Sequence, residues 1–176
     1  MAVKCDLLIR GGTVIDPAAN VLGTADVLIR EGRIIPAAAG DFVEAEKEID
    51  ASGCLVMPGL IDYHNHVFHG GTAIGINPDS VLLPQGVTTA VDQGSSGVTN
   101  VDSFIDTVVN SSQVRIFAYL HVSPAGLATL PYCLEPVNPA IFDTNGIRRA
   151  FEKYPQHILG LKIRQSREVV GELGLK

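Results

Sequence analysis

Polar and apolar residues follow two different patterns along this chain, one before and one after about residue 54. The first part carries a weak internal repeat, because the segment DLLIRGG at residues 6–12 is matched by DVLIREG at residues 26–32. Each copy is typical of a short strand, a tight glycine turn and a second short strand. The pattern predicts two hairpins of a small β-sheet, followed by a linking segment at residues 36–48 that is rich in Ala, Gly and Glu.

From residue 55 onward, short apolar runs alternate with segments of helical period, which is typical of βα units around a parallel sheet. The pattern predicts strands at residues 55–63, 87–92, 114–121 and 158–164, and helices at residues 78–84, 101–110 and 139–154. Eight such strands close a TIM barrel of about 250 residues. We therefore predict an α/β fold with two domains: a small β domain at residues 1–54, and about the first four βα units of a barrel at residues 55–176.

Composition and charge exclude several classes of protein. Hydrophobic residues make up 46% of the chain and charged residues 18%, which is typical of a folded globular protein. The net charge is −6 and the 13 Lys and Arg are scattered, which argues against nucleic-acid binding. No apolar run reaches the roughly 18 residues of a membrane span, and no secretory signal is visible. With three widely spaced cysteines, these features predict a cytoplasmic protein with reduced thiols.

The segment PGLIDYHNH at residues 58–66 carries the first candidate chemistry. Side chains alternate along a strand, so we expect Asp62, His64 and His66 on one face and Ile61 and Asn65 on the other. The histidines end an apolar strand, and the carboxyl ends of barrel strands hold active sites. Neutral imidazole is a common zinc ligand. A bare His-x-His is a weak signal by itself, because surface histidines reach this spacing by chance.

The second candidate is Lys162, which lies in the middle of the apolar segment GLKIR at residues 160–164. Lysine is almost never fully buried without a partner. From the residues alone, the favoured interpretation is an edge strand from which Lys162 extends into solvent.

Residues 58–66 resemble the signature of the amidohydrolase superfamily, Pro-Gly-x-Ile-Asp-x-His-x-His. Further segments, among them HGG at 69–71, GVTTAVDQGSSG at 86–97 and KIRQS at 162–166, resemble its deacetylase branch, which is often described as dihydroorotase-like. The resemblance implies a small β-sandwich before a (β/α)8 barrel. It also implies that His64 and His66 bind the more buried of two divalent metal ions, with zinc the expected metal. Asp62 would orient the histidine loop, and Lys162 would carry a CO2-derived carbamate that bridges the two ions.

The same resemblance implies hydrolysis of N-acyl or O-acyl bonds in a small acylated substrate, a deacetylase-type reaction, by a hydroxide that the metal ions make available at neutral pH. Dihydroorotase activity is the less favoured alternative. Members of the superfamily also need histidines from the fifth and sixth strands and a proton-shuttling aspartate from the eighth. None of these is assignable here, so we assign no catalytic residue and expect the 176-residue chain to be inactive alone.

Other residues invite weaker interpretations. His69 follows the metal motif in a glycine-rich loop, and His121 ends the third candidate strand, so both are candidates for positions near the substrate. The segment GSSG at residues 94–97 lacks the lysine and spacing of a P-loop. Ser95 and Ser96 lack the flanking pattern of a nucleophile elbow, which argues against a serine hydrolase.

Two competing hypotheses remain. The chain could be a non-catalytic truncated or assembly fragment that completes its barrel with another chain or a missing carboxyl-terminal segment, because open sheet edges invite self-association. Alternatively, a phosphoesterase of another metal-barrel family would keep the His-x-His pair and have no carboxylated lysine.

Overall fold

The computed structural model describes residues 2–36, 42–134 and 138–171, and the chain divides into two compact units at Pro58 and Gly59. Each unit is built around one β-sheet. The first holds five strands and the second holds four parallel strands. No helix in the described part of the chain combines the length and the apolar character needed to cross a bilayer.

The first unit is a mixed sheet with the strand order β3-β2-β1-β4, in which a short strand β5 also pairs with β1. β1 (Val3–Asp16) and β2 (Val21–Arg30) run antiparallel, and β3 (Arg33–Ile35) continues antiparallel to β2. β4 (Val43–Asp50) and β5 (Leu55–Val56) run parallel to the two halves of β1. The small core of this unit contains Cys5, Leu8 and Leu28.

The internal repeat has a structural explanation in the pairing of β1 with β2. Leu8 of the first copy pairs directly with Leu28 of the second, and both side chains are buried. Asp6 accepts a hydrogen bond from the Glu31 N–H at 2.6 Å, and Asp26 accepts one from the Gly11 N–H at 2.9 Å. Each copy's first residue thus binds the sixth residue of the other copy, so the repeat encodes a reciprocal pair of contacts across the hairpin.

The predicted turn at Gly11 and Gly12 is wrong, because β1 continues through both glycines with a register irregularity. Gly11 has φ +71°, and a Cβ on Gly12 would overlap Val56 of β5. These glycines therefore serve a bulge against β5 and not a turn. The chain reverses at residues 17–20 instead. Glu31 and Gly32, with φ of +51° and +70°, form the tight turn between β2 and β3.

The predicted linker at residues 36–48 also differs from the structure. Residues 43–50 form β4, whose acidic and basic side chains are mostly exposed, while residues 37–41 lie outside the described part of the chain. The predicted strand at residues 55–63 is two strands, because Leu55 and Val56 pair with β1 and a new strand begins at Leu60. Backbone pairing with different partners separates the two segments.

The second unit holds four parallel strands in chain order: β6 (Leu60–Asn65), β7 (Val87–Gln93), β8 (Arg115–His121) and β9 (Ile158–Lys162). Parallel neighbours in sequence order are what repeated right-handed βα units produce. The carboxyl ends of all four strands lie along one edge of the sheet. Candidate residues at those ends are therefore brought to the same edge.

Helical segments lie between and after these strands. α1 (Pro78–Val81) is capped by the Asn77 side chain, and a 3-10 turn at Leu83–Gln85 follows it. α2 (Val101–Phe104) continues into a π-helical segment at Ile105–Val109. α3 (Thr144–Lys153) begins at the Asp143 cap after a separate 3-10 turn at Pro139–Ile141, and α4 (Arg167–Val170) follows β9. The core combines strand residues such as Ile116 and Leu120 with the helix residue Phe104 and the loop residues Val67 and Val114.

Candidate metal centre

The two histidines of the sequence motif lie together at the carboxyl end of β6. His64 is exposed and His66 is half-buried, and their ring centroids are 6.1 Å apart with the ring planes at 78°. Two imidazoles on one tetrahedral zinc ion, with each nitrogen about 2.1 Å from the metal, would have centroids about 5.3 Å apart. The observed separation of 6.1 Å is longer, so the two rings lie near each other but would have to move closer together to share one ion.

The predicted alternation along β6 is wrong between Asp62 and Asn65. Asp62 pairs with Ala90 and Asn65 pairs with Asp92, so three steps along β6 match two steps along β7. Ala90 and Asp92 share one face of β7, and their partners Asp62 and Asn65 therefore share a face as well. Asp62 contributes by accepting a hydrogen bond from the His64 N–H at 3.1 Å. Its observed contact is with the backbone of the histidine segment.

Asp92 is a buried carboxylate at the end of β7 that sequence reasoning missed as a site residue. Its side chain has 0% exposure and accepts backbone hydrogen bonds from Val67 at 2.8 Å and Ser95 at 2.6 Å. Burial raises the pKa of Asp92, and the hydrogen bonds from Ser95 and Val67 oppose that rise. Asp92 therefore ties the loop after the histidine pair to the loop after β7. Its position at the end of an apolar strand was the signal that could have identified it.

Ser95 follows Asp92 and lies next to His66. Its Oγ is 3.0 Å from His66 Nδ1. The pKa of His66 is lowered mainly by burial, and the positive charges of His64, Lys162 and Arg164 act in the same direction while Asp92 opposes them. A lowered pKa keeps the imidazole neutral near pH 7, which is the form that binds metal ions.

Lys162 ends β9 directly opposite His121 on β8. Its stem crosses Gly94, since a Cβ at Gly94 would lie 2.7 Å from both Cβ and Cγ of Lys162. The charge of Lys162 contributes to lowering the pKa of both His66 and His121. The lysine therefore extends toward the histidines at the carboxyl edge of the sheet, and the missing side chain of Gly94 provides the space for its stem.

His121 is completely buried at the end of β8, and its Nδ1 accepts a hydrogen bond from the Ser123 N–H at 2.9 Å. A neutral imidazole has one donor nitrogen and one acceptor nitrogen, so this contact places the proton on Nε2. Burial, followed by the charges of Lys162, Arg164 and His66, lowers the pKa of His121 to about 4. In this state His121 is a hydrogen-bond donor through Nε2 and not a metal ligand through that atom.

The pKa of His121 leads to a testable pH dependence. A neutral His121 stabilises the fold fully above its unfolded pKa of 6.5, and this contribution is lost as pH falls toward about 4. The interval corresponds to about 3 kcal/mol of unfolding free energy. Urea unfolding of the wild type and of His121→Asn, which keeps an acceptor for Ser123, should differ in slope between pH 7 and pH 4. If the unfolding free energies of the two proteins changed with pH in parallel, His121 would not have the lowered pKa. Asp92, whose raised pKa favours folding at low pH, is present in both proteins, so its contribution cancels in the difference between them.

The remaining candidate, His69, lies on an exposed loop after the histidine pair. Its backbone N–H donates to the Val67 carbonyl at 2.7 Å. In the described ranges 2–36, 42–134 and 138–171, no group of three His, Cys, Asp or Glu side chains forms a metal site. The donors that the structure gathers are thus two imidazoles and a lysine, and the lysine needs chemical modification before it can bind a cation.

Comparison with known proteins relates the chain to one family. Residues 47–110 match the model of the Amidohydrolase family. A deacetylase of Agrobacterium fabrum is 35% identical over 156 residues, and a deacetylase of Brucella anthropi is 33% identical over the same length. These matches cover 86% of this chain and 38% of each deacetylase. The chain thus spans less than half of the relatives it matches.

Solved structures show the same partial correspondence. The crystal structure of a dihydroorotase superimposes with a TM-score of 0.81 at 28% identity, over 98% of this chain and 46% of the dihydroorotase chain. An adenine deaminase superimposes with the same TM-score at 27% identity, over 97% of this chain and 44% of its own. An N-acyl-D-glutamate deacylase from Bordetella bronchiseptica, solved with zinc and a phosphonate inhibitor, shares the fold at a TM-score of 0.56.

Proposed function

We propose that this chain, which belongs to the amidohydrolase superfamily, supplies one part of the metal centre of a hydrolase that cleaves N-acyl or O-acyl bonds. His64 and His66 would bind one divalent ion, and a carbamate on Lys162 would bridge it to a second. The strands β6 to β9 would form the first four strands of a (β/α)8 barrel. The proposed ions are zinc.

The gathering of a lysine and two imidazoles at the carboxyl edge of one parallel sheet carries this proposal. His66 directly follows β6 and Lys162 ends β9, and these are the two outer strands of the sheet. Gly94, which directly follows β7, nevertheless lies against the stem of Lys162, so the lysine extends across the end of β8 toward β7.

When bound, divalent ions supply Lewis acidity and a nucleophilic water at neutral pH. This chain's own residues would hold and orient them. The neutral state of His66 makes its ring a suitable donor, and Asp62 and Asp92 fix the segment on which both histidines lie. His121 and His69 would lie beside the substrate.

The substrate class is proposed from the relatives. The deacetylases of Agrobacterium fabrum and Brucella anthropi match 86% of the chain at 33–35% identity, whereas adenine deaminase of Listeria monocytogenes matches 50% of it. Dihydroorotase of Pelotomaculum thermopropionicum matches 37%. The solved dihydroorotase and adenine deaminase cover more of the chain, at lower identity. Sequence similarity over most of the chain therefore favours a small acylated substrate.

Zinc titration and intact-mass measurement test the proposed ligands. With zinc and bicarbonate present, we expect the wild type to bind zinc and to gain the mass of one CO2 under non-denaturing conditions. Lys162→Ala should lose the mass increment and weaken zinc binding more than tenfold, which corresponds to more than about 1.4 kcal/mol. The control Lys4→Ala removes an exposed lysine of the first unit and should change neither result. A CO2 adduct that persists in Lys162→Ala would contradict the proposal.

Catalysis itself is proposed to need further residues. The deacetylase relatives are longer than this chain, which covers 38% of them. A general base that also protonates the leaving group is not among the residues that we assign. We therefore expect the 176-residue chain to bind zinc without hydrolysing acyl esters or amides at rates typical of enzymes. Hydrolysis at such rates, retained in purified chain after repeated chromatography, would contradict this expectation.

A second candidate function is assembly with another polypeptide, and the outer strands of the parallel sheet favour it. Leu60, Ile61 and Tyr63 of β6 and Leu159 and Leu161 of β9 are each 47–65% exposed. Apolar side chains on both edge strands invite pairing with further strands. The partner would be a second copy or the remaining barrel strands. Light scattering should detect self-association of the isolated chain, and a monodisperse monomer at high concentration would argue against assembly of copies.

A further inference from the structure

We infer that Asn145 is a latent deamidation site, which the Asp143 cap of α3 protects by holding the Gly146 backbone nitrogen. Asn145 is the one asparagine of the sequence that is followed by glycine, and it is exposed in the first turn of α3. Glycine is the neighbour that favours this reaction most, because no Cβ hinders its backbone nitrogen. The inference goes beyond the proposed function and holds with or without a metal centre.

The reaction joins two groups that are adjacent in the chain. The Gly146 nitrogen loses its proton to hydroxide and attacks Cγ of Asn145, which forms a five-membered succinimide ring. The side-chain nitrogen takes a proton from water and leaves as ammonia. A second water then opens the ring at one of its two carbonyl carbons, which leaves aspartate or isoaspartate at position 145. The net change consumes water and releases ammonia, so it needs no oxidant, reductant or further catalyst.

The structure holds the attacking nitrogen in a hydrogen bond that the reaction must break. Gly146 is buried and donates its N–H to Oδ1 of Asp143 at 2.8 Å. This N–H is one of the donors that have no partner within the helix itself, so the cap is what satisfies it. Ring closure also requires Asn145 to leave helical backbone, because the planar ring fixes a ψ angle that a helix does not adopt. The first turn of α3 must therefore open before the reaction can start.

The glycine that makes this bond reactive is also the residue that lets the cap form. A Cβ at Gly146 would overlap Oδ2 of Asp143 and would lie 3.3 Å from Cβ of Val98. The carboxylate would have to move away, which would weaken its contact with the backbone N–H. Reactivity and protection thus come from one local arrangement, and Asn145 is protected only while the cap is in place.

Peptide mapping with isoaspartate detection, after incubation above neutral pH, tests this inference. The folded wild type should deamidate at position 145 at least about fivefold more slowly than the same chain in concentrated urea. Asp143→Ala should react about 5–30-fold faster than the wild type, which is the effect of a helix cap on the opening equilibrium. Asp143→Ser is the matched control, because serine keeps a capping oxygen, and its rate should stay near that of the wild type. Asn145→Gln identifies the signal and should remove it.

An equal rate in the folded and the urea-unfolded wild type would overturn the inference, and this comparison does not depend on whether a variant folds. Equal rates in folded Asp143→Ala and Asp143→Ser would overturn it as well. Amide hydrogen exchange at Gly146 supplies an independent measurement, since the same local opening exposes this N–H to water. Exchange should accelerate in Asp143→Ala by the same factor as deamidation. Faster exchange with an unchanged deamidation rate would show that the cap closes the turn without protecting Asn145.

Discussion

Replacing Gly94 with alanine is expected to lower the free energy of unfolding by about 2–5 kcal/mol, whereas the same change at Gly86 should cost about 1–2 kcal/mol. Both glycines have left-handed backbone, with φ of +85° and +80°. Alanine in that conformation costs about 1–2 kcal/mol at either position. The two sites differ in their surroundings, and that difference determines the remaining effect.

A Cβ at Gly94 would lie 2.7 Å from Cβ and Cγ of Lys162 and 3.2 Å from Cδ2 of His121. Atoms near the base of a side chain cannot move without the backbone, so overpacking should add about 1–3 kcal/mol. A Cβ at Gly86 meets no atom within 4 Å. Gly86→Ala therefore isolates the cost of backbone conformation.

Urea denaturation of the two variants measures the difference in their unfolding free energies. Zinc titration shows whether the substitution at Gly94 also changes metal binding. We expect Gly94→Ala to weaken zinc binding by displacing the stem of Lys162, and Gly86→Ala to bind zinc as the wild type does. Equal unfolding free energies for the two variants would mean that Lys162 does not lie across Gly94. In that case Lys162 would not extend toward the histidines at the carboxyl edge of the sheet.

The sequence could predict those parts of this site that depend on the local pattern of apolar and polar residues. Apolar runs that end in polar residues marked the strands, and parallel strands bring their carboxyl ends to one edge. His64, His66 and His121 were found in this way, and Lys162 was found by its place within an apolar segment. Their roles as ligands or substrate neighbours stay predictions.

The parts that the sequence could not predict depend on contacts between distant segments. Asp92 and Val67 are 25 positions apart, and Ser95 and His66 are 29 positions apart. No periodicity relates them. The β6 irregularity similarly depends on its pairing with β7, so simple alternation misplaced Asp62 relative to Asn65. A serine that lacks a nucleophile motif could therefore be excluded as a nucleophile from sequence, while its contact with a histidine could not be foreseen.

The residue type also does not determine which groups the ring nitrogens of a histidine contact. His66 and His121 are the same residue at the ends of two strands, and their ring nitrogens meet a hydroxyl in one case and a backbone amide in the other. The serine hydroxyl can donate or accept a hydrogen bond, whereas the backbone amide can only donate one. The groups that each ring meets are thus set by the loops that follow the strands, and those loops are held by buried polar contacts.

Asp92 is the centre of those contacts, and Asp92→Ala is expected to destabilise the second unit by about 3–4 kcal/mol. The substitution leaves the N–H groups of Val67 and Ser95 without an acceptor at positions with 0% exposure. Each unpaired buried donor costs about 1–3 kcal/mol. Removing a carboxylate whose burial raises its pKa offsets part of this loss. The histidine loop should also become mobile, which weakens zinc binding.

Asp79 provides a matched control for Asp92. Its carboxylate also accepts two backbone hydrogen bonds from a distant segment, from the N–H groups of Gln113 and Val114 at 3.0–3.1 Å. The Gln113 N–H lies at the surface, where water can replace the lost acceptor, whereas Val114 is fully buried. Asp79→Ala therefore leaves one buried donor unpaired instead of two and should cost about 1–3 kcal/mol. Urea unfolding and amide hydrogen exchange at Val67 and Ser95 measure the difference. Similar losses of stability in the two variants, with both amides still protected in Asp92→Ala, would show that Asp92 does not hold the histidine loop.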